Sequence, residues 1–189
     1  PDGSLMPDLN VRARIIQEIR TFAPDLVLTH RTNDYHPDHR AVGQAVQDAS
    51  YLVTVPKVCP ETAALRDDPV VAFMADLFTR PNVMRPDAVI DITAEFPRLI
   101  QMAACHKSQF FEWLAYHDGQ LEEVPAEDAA RLEWLDANFR NFHRQRQAHF
   151  QKHYPEESAR FSACLEVFEV SEYARQPNSD EMSILFPGS

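Results

Sequence analysis

The stretch Pro24-Asp25-Leu26-Val27-Leu28-Thr29-His30-Arg31-Thr32-Asn33-Asp34-Tyr35-His36-Pro37-Asp38-His39-Arg40 decides how this chain is read. A short apolar run after a proline reads as a buried strand over residues 25–30. A polar loop follows over residues 31–35. Pro37 suits the first turn of a new helix, where its missing N–H costs nothing. Ala41, Val42, Ala45, Val46 and Ala49 give that helix an apolar face. Working backwards, Val11, Ile15, Ile19 and Phe22 recur at helical spacing, so residues 9–22 read as an amphipathic helix that Pro24 ends. Helix, strand, loop, helix is the alternation of an α/β unit.

The rest of the chain extends that pattern. Residues 51–69 hold several prolines and no clear period, and read as an irregular excursion. Strands are expected over Pro69–Leu77 and Ala88–Ile92, and a helix over Ala94–Tyr116 with Pro97 confined to its first turn. A long peripheral helix is expected over residues 125–153, with Leu132, Leu135, Phe139 and Phe142 as its buried stripe. Acidic residues crowd its start and basic residues its end, the order that complements the helix macrodipole. The plain reading is a surface helix; a dimer interface is the other. A late strand is expected over Leu165–Tyr173, and residues 176–189 read as a loosely ordered tail. The expectation is one α/β domain over residues 1–189, or the C-terminal portion of one.

The chain has 189 residues, 44% hydrophobic and 25% charged, as in a globular protein. Its formal net charge of -11 disfavours nucleic acid and anionic membranes as partners. No apolar run approaches the roughly 20 residues of a membrane span. Cys59, Cys105 and Cys164 are odd in number and far apart, which reads as reduced thiols in a cytoplasmic protein. With four glycines, the chain has neither GxGxxG nor GxxxxGK[ST].

Chemistry concentrates in residues 30–39, where three histidines and two aspartates lie at the C-terminal end of the expected strand. Open α/β sheets build their sites at that end. With Pro37 as the first helical residue, His36 is the N-cap and His39 lies one turn on, so both can face one cleft. A neutral His39 is an ordinary zinc ligand. Asp38 can accept a hydrogen bond from the His36 imidazole and fix its tautomer. The bland alternative is two polar histidines near water. A catalytic zinc site needs about three protein ligands; His30 is either a further ligand or a rim histidine. Tyr35 borders the motif at the expected substrate entrance, and Arg40 is expected in a structural ion pair.

Two blocks, Pro24–His30 with Tyr35-His36-Pro37-Asp38-His39-Arg40-Ala41-Val42-Gly43, and Ala88–Thr93 with His106-Lys107-Ser108-Gln109, resemble the PIG-L / LmbE-like zinc-dependent de-N-acetylases. The resemblance covers roughly residues 7–111. It implies a Rossmann-like, mostly parallel sheet flanked by helices, a Zn2+ cofactor, and a small N-acetylated substrate of the N-acetylglucosamine type. It also implies His39 as a metal ligand, and His36 as the catalytic group that stabilises the oxyanion or protonates the leaving amine. Asp38 orients His36, and His106 binds substrate or supports the site, with a structural helix role as the alternative. The family's N-terminal HPDD block has no counterpart, because none of the eight histidines precedes Pro-Asp-Asp. Two ligands, the general base and the first strands are thus expected outside this chain, on a missing N-terminal portion. The alternative is a non-catalytic interaction module. A homo-oligomer is the other expected assembly.

Overall fold

The computed structural model describes residues 1–189. The chain forms two units, residues 1–90 with 166–189, and residues 91–165.

The first unit opens with helix α1, Leu9–Phe22, at the expected bounds. The Asp8 carboxylate caps its N-terminus by accepting from the amides of Asn10 and Val11. Ala23 ends it in the left-handed region at φ 49, an uncommon place for a residue with a Cβ. Strand β1, Leu26–Thr29, runs parallel to β2, Val70–Met74, with Leu26 opposite Val70 and Thr29 opposite Phe73. Strand β4, Leu165–Val170, pairs antiparallel with β2. With β3, Ala88–Asp91, the sheet order is β1-β2-β4-β3. The α/β sheet is as expected, with β1 and β2 parallel, and it includes one strand of opposite direction: β4, between β2 and β3, runs antiparallel to β2.

Helix α2, Pro37–Leu52, follows β1. Ile16, Ile19, Ala49 and Val53 close one core cluster between α1 and the end of α2. Beside it lies Arg20, 5% exposed. Its guanidinium donates to main-chain carbonyls, those of Leu52, Val53, Val55, Val58, Cys59 and Thr62. The last turn of α2 has no basic residue of its own, so Arg20 supplies the cation that the C-terminal end of a helix favours.

Residues 176–189, expected to be loose, hold helix α6, Ser179–Leu185. A capping box between Asn178 and Glu181 starts it, and Phe186 buries itself against Val70, Ala72, Ala88 and Val170.

In the second unit the expected helix 94–116 is broken. Helix α3 covers Phe96–Ala104, with Pro97 in its first turn; a π-helical segment follows over Ser108–Trp113, then the short α4, Leu114–His117. No proline or glycine marks the break. The wider π turn accompanies the burial of Phe111 with Phe96, Ile100 and Leu135. Helix α5, Asp128–His153, buries Leu135, His143, Arg146 and Phe150. Of the expected stripe, Leu132 and Phe142 are exposed. His143 Nδ1 and an Arg146 nitrogen both bond the Leu165 carbonyl at 3.1 and 3.0 Å, so polar side chains close part of this core. No helix is long and apolar enough to cross a membrane.

Candidate functional site

Strand β1 delivers His30 to its C-terminal end, and α2 starts seven residues later. His36 is the N-cap: its Nδ1 accepts from the Asp38 amide at 3.2 Å. That acceptor role puts the ring proton of neutral His36 on Nε2. Asp34 organises the loop. Its Oδ1 accepts from the His36 amide and pairs with His39 Nδ1, both at 2.8 Å. The Asp34 carboxylate is 9% exposed, and its second oxygen lies 3.9 Å from His30 Nδ1. The His30 and His39 rings stack at 3.8 Å with planes 7° apart. The His36 ring centroid is 4.8 Å from that of His39, and Tyr35 sets its ring edgewise to both. Burial, then the His39 ring, push the His30 imidazole below its ordinary value.

Several ties hold this loop. Arg40 donates to the carbonyls of Asp34 and Tyr35, not to the expected acid. Arg31, 4% exposed, grips Asp76 at 3.1 Å and the Asn82 carbonyl at 3.0 Å, and Glu169 lies 3.8 Å away. Asn33 donates to the Arg80 carbonyl at 3.0 Å. Burial raises the carboxyls of both Asp76 and Glu169.

Two groups bring potential ligand atoms within 4.8 Å of one another: His30, Asp34 and His39, and Asp2, His36 and Asp38. His36, His39 and Tyr35 thus lie together, His30 stands with them, and Asp34, given no role of its own from the sequence, ties the group. Asp38 departs from its expected role. Its side chain accepts from the Gly3 and Leu5 amides, both at 2.8 Å, and it is the Asp38 amide that meets the His36 ring. The Leu5 amide is the main cause holding the Asp38 carboxyl below its usual range. His106 lies in the other unit, exposed, with its ring 6.5 Å from Phe110.

The family model described as PIG-L: GlcNAc-PI de-N-acetylase matches residues 1–50. Over those residues the chain is similar to the PIG-L family. The whole His30–His39 cluster lies inside it. Solved structures agree on the fold. N,N'-diacetylchitobiose deacetylase from Pyrococcus horikoshii matches with a TM-score of 0.62 and 17% identity, over 95% of this chain and 59% of that one. The conserved protein TT1542 from Thermus thermophilus matches at 0.56 and 19%, over 94% and 65%. The 4-carboxy-2-hydroxymuconate hydratase GalB from Pseudomonas putida KT2440 matches at 0.55 and 19%, over 90% and 62%. The chain therefore shares the α/β fold of these structures and spans about three fifths of their length. A deacetylase and a hydratase share that fold, so the chemistry has to be argued from the PIG-L-like segment and its side chains.

Proposed function

We propose that the PIG-L-like segment contributes His39 and His36 to a zinc-dependent de-N-acetylase site that hydrolyses the acetamide of a small N-acetylglucosamine-type substrate. One observation carries this reading: His39 gives Nδ1 to the half-buried Asp34 carboxylate at 2.8 Å, which leaves Nε2 as the ring nitrogen for a metal. Metal-binding imidazoles are oriented in this manner, one nitrogen on a carboxylate and the other toward the ion. The nearby donors are imidazole nitrogens and carboxylate oxygens, a set that suits zinc. When bound, zinc supplies a Lewis acid for the acetamide carbonyl and the attacking water.

The chain's own residues do the rest. Asp34 fixes the His39 tautomer and ring plane. His36, with its proton on Nε2, donates to the oxyanion that develops as the amide carbonyl is attacked. Loss of one such donor typically costs about 10²–10³ in rate. Asp38 acts on His36 through its main chain, because its carboxylate is engaged elsewhere. Tyr35, 68% exposed beside both rings, forms the substrate-side rim. The likeness of His106-Lys107-Ser108-Gln109 to the family's later block keeps His106 in this reading as a substrate-side residue.

The test is zinc content and acetate release in the full-length gene product. His39→Ala is expected to lose stoichiometric zinc. His36→Ala is expected to keep zinc while turnover falls about 10²–10³-fold. Unchanged zinc content in the His39 variant sinks the assignment.

A further inference from the structure

Helix α2 carries His39 and, four residues on, Gly43, so the two share a face. On that face His39 lies flat on His30. One turn later Gly43 meets the main chain of the same strand end. A Cβ at position 43 would sit 2.4 Å from the His30 carbonyl oxygen and 3.2 Å from the Arg31 carbonyl carbon and oxygen. A helix interior gives glycine no conformational reason to be there; it costs about 1 kcal/mol relative to alanine. Close approach is the remaining physical reason. Neither side yields cheaply. Arg31 is anchored through its buried guanidinium on Asp76 and the Asn82 carbonyl. The far end of α2 is held by Arg20 through the Leu52 and Val53 carbonyls.

We infer that Gly43 is a positioning residue of the histidine site: its missing side chain sets the distance at which α2 brings His39 to His30 and Asp34. The inference rests on the reading of His39 as a metal ligand. Restoring even the tightest tolerated contact of 3.0 Å requires a shift of at least 3.0 − 2.4 = 0.6 Å against main chain. The same shift along the His39–Asp34 bond would lengthen it from 2.8 Å to about 3.4 Å, near the limit of hydrogen bonding.

Zinc affinity, measured by competition with a chromophoric chelator, tests this in Gly43→Ala. Gly119→Ala serves as a control: Gly119 has φ +71 and no neighbour within 4 Å, so its substitution strains the backbone without crowding anything. The control is expected to unfold at lower temperature with unchanged zinc affinity. Gly43→Ala is expected to bind zinc about 10–100-fold more weakly, the usual effect of disturbing the groups that orient a ligand. The absorption bands of its cobalt-substituted form are expected to shift. Wild-type zinc affinity in folded Gly43→Ala overturns the inference while leaving the function reading intact, provided His39→Ala still loses zinc. If His39→Ala keeps its zinc, both fall. Should Gly43→Ala not fold, proton NMR of the unsubstituted protein decides. The stack requires ring protons of His30 and His39 shifted upfield by each other, and ring protons at unstacked positions overturn the inference.

Discussion

Three histidines gather around the start of α2, and three others lie along α5, yet the two sets are built for different work. His30, His36 and His39 surround one half-buried carboxylate, Asp34, which holds His39 by a single ring nitrogen. His143, His149 and His153 sit on one long helix and meet main chain and aromatic rings. His143 is buried, bonded to the Leu165 carbonyl and edge-on to Phe96 at 5.3 Å. His149 Nε2 is buried without a hydrogen-bond partner, and its ring lies 4.8 Å from that of His153. The lesson is that a histidine's partners separate a ligand-type site from packing, where residue counting does not.

The largest expected effect would break the contrast if it failed. His143→Ala opens a cavity and removes one of two donors to the Leu165 carbonyl, so it is expected to cost about 2–3 kcal/mol of stability by denaturant unfolding. Its effect on zinc affinity is expected to be nil. Asp34→Ala should behave in the opposite sense, with zinc affinity down about 10–100-fold and a smaller loss of stability. Equal zinc affinity in wild type and Asp34→Ala would place the two clusters in the same class.

Two smaller effects sharpen the comparison. The Asp38 carboxyl is held below its usual range, chiefly by the Leu5 amide. The folded state therefore releases this proton more readily than the unfolded chain. The tether on Gly3 and Leu5 is present above about pH 4 and is lost as pH falls through the folded value. Asp38→Asn should speed amide exchange at Leu5 at neutral pH while leaving zinc affinity nearly unchanged. The smallest effect belongs to His149. Burial, then His153 and Lys152, hold its imidazole below the ordinary value. Below about pH 6.5 the unfolded chain binds a proton that the folded state resists, so stability falls with falling pH in that range. His149→Gln should flatten that slope, and an unaltered pH profile would show that the ring is freely solvated.

Much of this contrast was legible in the sequence where local rules act alone. Helix α1 has the bounds that its spacing and Pro24 set, and Pro37 correctly placed His36 at a helix start. Asp34 counts in the sequence only as one of two aspartates near the histidines, because its contacts arise from the path of a loop with no period to read. Asp38 departs from the role its local pattern implies because two amides 35 and 33 residues away claim its carboxylate. The break between α3 and the π-helical segment answers to tertiary packing around Phe111 and leaves no proline or glycine as a sign. Helix α6 is different. Its Asn178-Ser179-Asp180-Glu181 start is a capping box written in the sequence itself, the local signal of a helix where composition suggests a loose tail.

Arg20 carries a consequence for how much change the chain tolerates. One guanidinium gathers carbonyls from Leu52 to Thr62, so a side chain from α1 ties together turns that are otherwise joined only by short-range hydrogen bonds of their own. A surface loop would ordinarily accept inserted residues and invite proteolytic nicking. This one should refuse both while Arg20 is in place. Lysine, with three donors on one point, cannot reach all six carbonyls. A single exchange at position 20 would thus convert a closed stretch of chain, 32 to 42 residues further on, into a cleavable one.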